Sequence, residues 1–196
     1  MNHKIFIYPT DTVWGIGASI LSQEATRQIA EIKKTPENKP LSVLFSSIEQ
    51  MREYISFPDS LSSDWLSIFF SLESTLAVSR KLADGRIPAW VLGDSDVVAI
   101  RCLPHTGVED IIRKVGSPIT STSFNLSGTP AISSRDEAYK LYLSIASHHC
   151  FIDDPGANLS GNSSTIVRLE TDFSFSVMRG GNKVEELLKH VQLLTA

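Results

Sequence analysis

An α/β fold, with helices packed on one open, twisted sheet, is predicted by three observations. Strand-like and helix-like apolar patterns alternate from end to end, capping residues stand where helices would begin, and no repeat, linker or low-complexity segment interrupts the series. At 196 residues, with 42% hydrophobic and 20% charged residues, the composition suits a single domain spanning 1–196.

Lys4 to Tyr8 reads as the first strand, followed by a polar, glycine-bearing turn through Asp11, Gly15 and Gly17. Ser22 is placed to cap a helix whose apolar residues Ala25, Ile29 and Ile32 recur at helical spacing. Pro36 disfavours helical geometry at Thr35, so Lys33 and Lys34 fall at the helix C-terminus. Leu41 to Phe45 reads as a buried strand, and Ser47 with Gln50 forms a capping-box pattern opening a helix through Ile55. Leu61, Trp65, Ile68, Phe69 and Leu72 continue the amphipathic series, with the aromatics in the core. Thr75 to Ser79 and Val97 to Cys102 read as strands, separated by a glycine- and aspartate-rich segment from Asp84 to Asp96 that is expected to be a mobile loop. Thr106 with Glu109 and Ser134 with Glu137 are further capping boxes. The first precedes Ile111, Ile112 and Val115, and the second precedes Ala138, Leu141, Tyr142 and Ile145. Pro118 to Thr122, Cys150 to Ile152, Ser164 to Leu169 and Phe173 to Arg179 read as strands. Asn182 is expected to cap a last helix with Val184, Leu187, Leu188 and Val191 on its apolar face.

Charge and motifs exclude several classes. Eighteen basic against 22 acidic residues leave a net charge of -4, so no global positive field draws the chain to RNA or anionic lipid, and at most weak tRNA binding is expected. No apolar run approaches the ~18 residues of a membrane span, and Pro9 to Thr12 cuts short the one stretch that resembles a signal sequence. A soluble, cytoplasmic protein is expected, with Cys102 and Cys150 as reduced thiols. A P-loop, a G-x-S-x-G elbow and an H-E-x-x-H helix are missing, and Gly15-Ile16-Gly17 lacks the third glycine of a dinucleotide fingerprint because Ile20 stands there. His148-His149 has no supporting ligands nearby, so no protein metal site is expected.

Six polar strings stand at the ends of the expected strands and helices, where backbone groups are free to face a ligand. They are Tyr8-Pro9-Thr10-Asp11-Thr12-Val13-Trp14-Gly15, then Ile32 to Leu41 (I-K-K-T-P-E-N-K-P-L), Val97 to Arg101, Thr122 to Gly128 (T-S-F-N-L-S-G), Ser164 to Val167, and Val177-Met178-Arg179-Gly180-Gly181. Their order and approximate spacing resemble the YrdC-like family of L-threonylcarbamoyladenylate synthases, also called TsaC, from about residue 5 to residue 182. The resemblance implies an open, twisted, mixed sheet around a concave basic cavity. It further implies conversion of L-threonine, bicarbonate or carbon dioxide, and ATP into threonylcarbamoyl-adenylate and pyrophosphate. A separate complex would then transfer the threonylcarbamoyl group to tRNA.

In such a reaction a carbamate oxygen attacks the α-phosphorus and charge gathers on phosphate oxygens, which preorganised cations, with the Mg²⁺ that accompanies ATP, can stabilise. By resemblance Lys33 matches the lysine of the family's K-x-R motif and Arg179 its late arginine, and both are the expected catalytic residues. Ser123 and Asn125 match its S-x-N motif, Ser133 matches a position near the nucleotide, and Lys39 could add positive potential for ATP. Arg101 matches an arginine able to clamp the threonine carboxylate, and Thr12, Ser123 and Ser164 match positions around the amino acid.

The chain also departs from the family pattern. Thr35 stands where K-x-R has arginine, Phe70 to Thr75 lacks the usual P-G-P turn, Trp14 replaces a tyrosine and Val97 a threonine. Loss of one charged hydrogen bond, worth ~1.5–3 kcal/mol, corresponds to roughly tenfold to a hundredfold in affinity or rate. The alternatives are a noncatalytic nucleotide- or RNA-binding relative with a degenerate site, and a carbamoyl-adenylate enzyme using another carbamoyl donor.

Overall fold

The computed structural model describes residues 3–83, 85–104, 106–145 and 149–194. Nine strands among them form one mixed sheet: β1 (Ile5–Pro9), β2 (Trp14–Ala18), β3 (Ser42–Phe45), β4 (Ser74–Ser79), β5 (Val97–Cys102), β6 (Ile119–Ser123), β7 (Cys150–Phe151), β8 (Thr165–Leu169) and β9 (Phe175–Arg179). Their order is β7-β1-β2-β6-β3-β5-β4-β8-β9, open at both edges. The pairs β1–β7, β3–β5 and β4–β8 are parallel and the others antiparallel. The helices are α1 (Gln23–Lys33), α2 (Ile48–Tyr54), α3 (Ser63–Ser71), α4 (Ala89–Leu92), α5 (Thr106–Val115), α6 (Arg135–Ile145) and α7 (Val184–Gln192).

Side chains alternate between the two faces of a strand, and that alternation decides where a site can form. On one face Val43 and Phe45 of β3, Leu76 and Val78 of β4, Val98 and Ile100 of β5, and Val167 and Leu169 of β8 enter a large core. Met51 of α2, Trp65, Leu66 and Phe69 of α3, and Leu187 and Val191 of α7 complete it. Each fully buried side chain of this kind stabilises the fold by about 1.5–3 kcal/mol. A second core joins Ile5, Ile7, Trp14 and Ile16 to Ala25 and Ile29 of α1 and Ala138 of α6. On the face opposite the large core, α5 packs through Val108, Ile111 and Ile112 in a cluster with Phe6, Tyr8, Leu44 and Ile119. Beyond its reach that face carries Ser42, Thr75, Arg101 and Ser121 and stays open as a cleft.

Two expected caps form as read: Ser22 Oγ accepts from Ala25 N at 3.2 Å, and Ser47 Oγ accepts from Gln50 N at 3.1 Å. Three expectations are corrected. Gly15 and Gly17 belong to β2, not to a turn. A Cβ on Gly17 would lie 1.8 Å from the Thr120 carbonyl oxygen and one on Gly15 2.9 Å from the Tyr8 ring, so close approach calls for glycine there. The segment expected to be a mobile loop, whose first residue Asp84 lies outside the described residues, contains the one-turn α4. Val91 and Leu92 are buried, and Trp90 Nε1 donates to Ile20 O at 3.2 Å. Asn182 does not cap α7; Lys183 holds the N-cap position, and Asn182 Oδ1 accepts from Asn162 Nδ2 at 2.5 Å. The Thr106 side chain and His148 lie outside the described residues, and α6 ends at Ile145. Among the described helices none is long and apolar enough to cross a membrane.

Candidate active site

The open part of the face opposite the large core forms a cleft of about 150 Å³. Five of the residues singled out in the sequence line it together: Thr12, Arg101, Ser123, Ser164 and Arg179. Sheet order explains the convergence. β6 lies beside β3, β5 lies between β3 and β4, and β8 brings β9 alongside, so positions up to 167 residues apart in sequence share one surface.

Arg101, at the end of β5, is buried. Its Nη1 donates to Thr12 Oγ1 at 3.1 Å and its Nη2 to Asp11 Oδ1 at 2.5 Å, while the buried Nε has no partner among the described residues. The P-T-D-T string holds this pairing through a local turn. Thr10 Oγ1 accepts from Thr12 N at 3.1 Å and Val13 N at 3.2 Å and donates to Val13 O at 2.7 Å. Arg179, at the end of the edge strand β9, donates through Nε and Nη2 to Ser164 O at 3.1 and 2.8 Å. The protein wall behind it, and secondarily the Arg101 charge, lower its pKa below the ordinary guanidinium value. Two guanidiniums therefore share a small cleft otherwise lined largely by hydroxyls, an arrangement suited to an anion.

Lys33 does not line the cleft; it stands directly behind Ser123. Its Nζ donates to Ser123 O, to Asn125 O at 3.0 Å and to Asn125 Oδ1 at 3.1 Å, which occupies all three ammonium donors. Burial, and next the charge of Lys39, pull this ammonium down to about 8. Asn125 is similarly engaged: Oδ1 accepts from Ser123 Oγ at 2.6 Å and Nδ2 donates to Thr129 O at 2.6 Å. The S-x-N string is thus a built turn, tied again to α1 by Ser127 N donating to Lys33 O at 3.1 Å. Lys39 is exposed and lines a separate small pocket with Lys33 and Thr35. Ser133 is exposed beside Gly161, in the segment that supplies Ser163 and Ser164 to the cleft.

Sequence reasoning did not single out Ser42, Thr75, Ser121 or Ser163, all of which line the cleft. The available signal was partial: Ser42 of β3 and Thr75 of β4 each stand beside an apolar residue, Val43 or Leu76, that enters the large core, so they point to the opposite face. Trp14 also lines the cleft, its ring stacked on Phe151 with centroids 4.8 Å apart. Among the described residues no group of three or more His, Cys, Asp or Glu side chains could hold a metal ion.

A family model covering the Sua5, YciO and YrdC proteins, described as "Telomere recombination", matches residues 2–181. The chain belongs to this family. A threonylcarbamoyl-AMP synthase of Vibrio cholerae is 32% identical over 133 residues, which cover 68% of this chain and 70% of that protein. Another from Xanthomonas campestris is 30% identical over 131 residues, covering 67% and 70%. These family relatives are named as enzymes. Among solved structures, P. abyssi Sua5 complexed with L-threonine is 28% identical with a TM-score of 0.78, covering 96% of this chain and 54% of that one. This family member therefore spans about half the length of P. abyssi Sua5. E. coli YciO, at 20% identity and a TM-score of 0.72 over 92% of this chain and 84% of its own, shares the open-sheet fold.

Proposed function

We propose that this chain is an ATP-dependent L-threonylcarbamoyladenylate synthase. The observation that carries the reading is the meeting of Arg101, Thr12, Ser164 and Arg179 in one cleft, on the fold shared with a Sua5 complexed with L-threonine. Threonine's carboxylate is received at Arg101, whose guanidinium is held in plane by Asp11 and Thr12. Its amine combines with carbon dioxide and releases a proton to solvent. A carbamate oxygen then bonds to the α-phosphorus of ATP as the bond to the pyrophosphate oxygen breaks.

Arg179 faces the charge that develops on the phosphates, and Ser123 presents its hydroxyl from the turn braced by Lys33 and Asn125. Direct contact of Lys33 with a phosphate oxygen requires it to exchange one of its present acceptors. Lys39 and Ser133 are assigned to the nucleotide by the family resemblance alone, since neither lines the cleft. Mg²⁺ enters as part of the substrate MgATP. The cleft's described lining carries no carboxylate, and the neighbouring Asp11 is paired with Arg101, a donor set that does not suit a protein-held magnesium ion. A separate threonylcarbamoyl-transfer complex acting on tRNA consumes the labile product.

The test is threonine- and bicarbonate-dependent pyrophosphate release from MgATP, with mass spectrometric detection of the mixed anhydride. Folded protein that binds ATP yet makes no adenylate would favour a binding relative instead. Turnover with carbamoyl phosphate but not with threonine plus bicarbonate would assign another carbamoyl donor.

A further inference from the structure

Glu73 stands between α3 and β4, in the stretch where the family's P-G-P turn is missing, and it adopts φ +52°, a left-handed conformation costly for a residue with a Cβ. Its side chain is nevertheless buried and fully employed. Oε2 accepts from Ser160 Oγ at 2.7 Å, and Oε1 pairs with Lys183 Nζ at 3.3 Å. Ser160 opens the segment 160–164, whose Ser163 and Ser164 form one wall of the cleft. Ser160 N donates to Asp11 O at 3.0 Å and Gly161 N to Thr12 O at 2.9 Å, so this wall is stitched to the string that orients Arg101. Lys183 lies four residues beyond Arg179, and Arg179 itself rests on Ser164 O. One carboxylate therefore ties together the two chain segments that carry Ser164 and Arg179.

We infer that Glu73 is a positioning residue of the cleft: its carboxylate fixes the 160–164 wall and the chain just past Arg179 in the geometry that receives ligand. The link to catalysis rests on the synthase reading, whereas the state of the wall can be followed without any ligand.

Glu73→Gly suits the test because glycine accepts the left-handed backbone without strain, so loss of the tether is separated from loss of the fold. Amide hydrogen exchange at Ser160 and Gly161 should speed up by about tenfold or more, the factor expected when a charge-assisted hydrogen bond is lost. The Thr165 amide is an internal control. It donates to the backbone carbonyl of residue 73, which glycine keeps, and its exchange should stay within about twofold of the parent. In the turnover assay the KM for L-threonine should rise about tenfold while kcat changes by less than about threefold and the melting temperature does not fall. Glu73→Gln keeps an acceptor for Ser160 but no charge for Lys183, and its KM should fall between the two.

Unchanged exchange at Ser160 and Gly161 in Glu73→Gly would overturn the inference, as would faster exchange with an unaltered KM. If the parent protein makes no adenylate but the exchange pattern still shifts as described, the synthase reading fails and the wall-positioning role stands.

Discussion

Replacing Arg179 by alanine separates recognition from folding. Arg179 ends an edge strand, is exposed, and among the described residues its guanidinium bonds only to Ser164, at 3.1 and 2.8 Å to the carbonyl and 3.3 Å to the hydroxyl. Truncation leaves that carbonyl open to water in the cleft, so the fold should lose no more than about 1 kcal/mol, or about 4 °C in melting temperature. In the proposed reaction the same guanidinium meets the growing charge on the phosphates. Removing such a preorganised donor costs about 10²–10³ in turnover, roughly 2.7–4 kcal/mol of barrier. Arg179→Lys should be intermediate, since one ammonium cannot both span the two donor positions on Ser164 and face a ligand. Initial rates of pyrophosphate release, measured beside thermal denaturation of the same samples, report both quantities. An alanine variant that retains its melting temperature and works within about threefold of the parent would refute the assignment of Arg179 to transition-state charge.

Lys33 should impose a pH limb on ATP affinity. With its ammonium pulled down to about 8, the cation is present below that pH and is lost as pH rises through it. The association constant should therefore be flat below about 8 and fall above it by up to about tenfold per unit, and Lys33→Met should bind weakly without that limb. Titration calorimetry at pH 7, 8 and 9 checks this, and parallel curves for parent and variant would rule it out. Gly17→Ala should destabilise by about 3 kcal/mol, the upper end of overpacking costs, because its Cβ would sit 1.8 Å from the Thr120 backbone oxygen. Gly128→Ala meets no atom within 4 Å and pays only for its φ of +82°, about 1–2 kcal/mol. Urea denaturation giving equal losses for the two would contradict the close-approach argument.

Local signals carried the reading as far as local physics reaches. Ser22 and Ser47 are legible because a cap is decided by residues three positions apart, and the core faces of α3 and α7 are legible because periodicity is a property of one segment. β2 was not, since Gly15 and Gly17 read as turn residues until Tyr8 and the Thr120 carbonyl are known to press against them. Arg101 was singled out through the family resemblance, as the match to an arginine able to clamp a carboxylate. Ser42, Thr75 and Ser121 look like ordinary strand serines and threonines, and only a sheet order that departs from sequence order places them around that arginine. Lys33 was legible at a helix C-terminus and, by resemblance, as a catalytic lysine, but its three acceptors on the Ser123–Asn125 turn could not be read without the fold. Asn182 shows the converse, where an available tertiary partner, Asn162, displaced the local cap that its residue type favours.

The insertion of β6 between β2 and β3 has a consequence for how the molecule is made. During synthesis the β1–β2 hairpin can close as soon as it emerges, but β2 and β3 cannot be joined through their shared neighbour until residues 119–123 have left the ribosome. Arg179 and the Ser164 it rests on emerge later still. Each of these pairings closes a long loop before it yields any stabilising contact, which makes assembly slow relative to the helices that form alone. A nascent chain therefore cannot bring Arg101 and Arg179 to one cleft until residue 179 has been translated, so the paired guanidiniums are set by the last of these pairings to form.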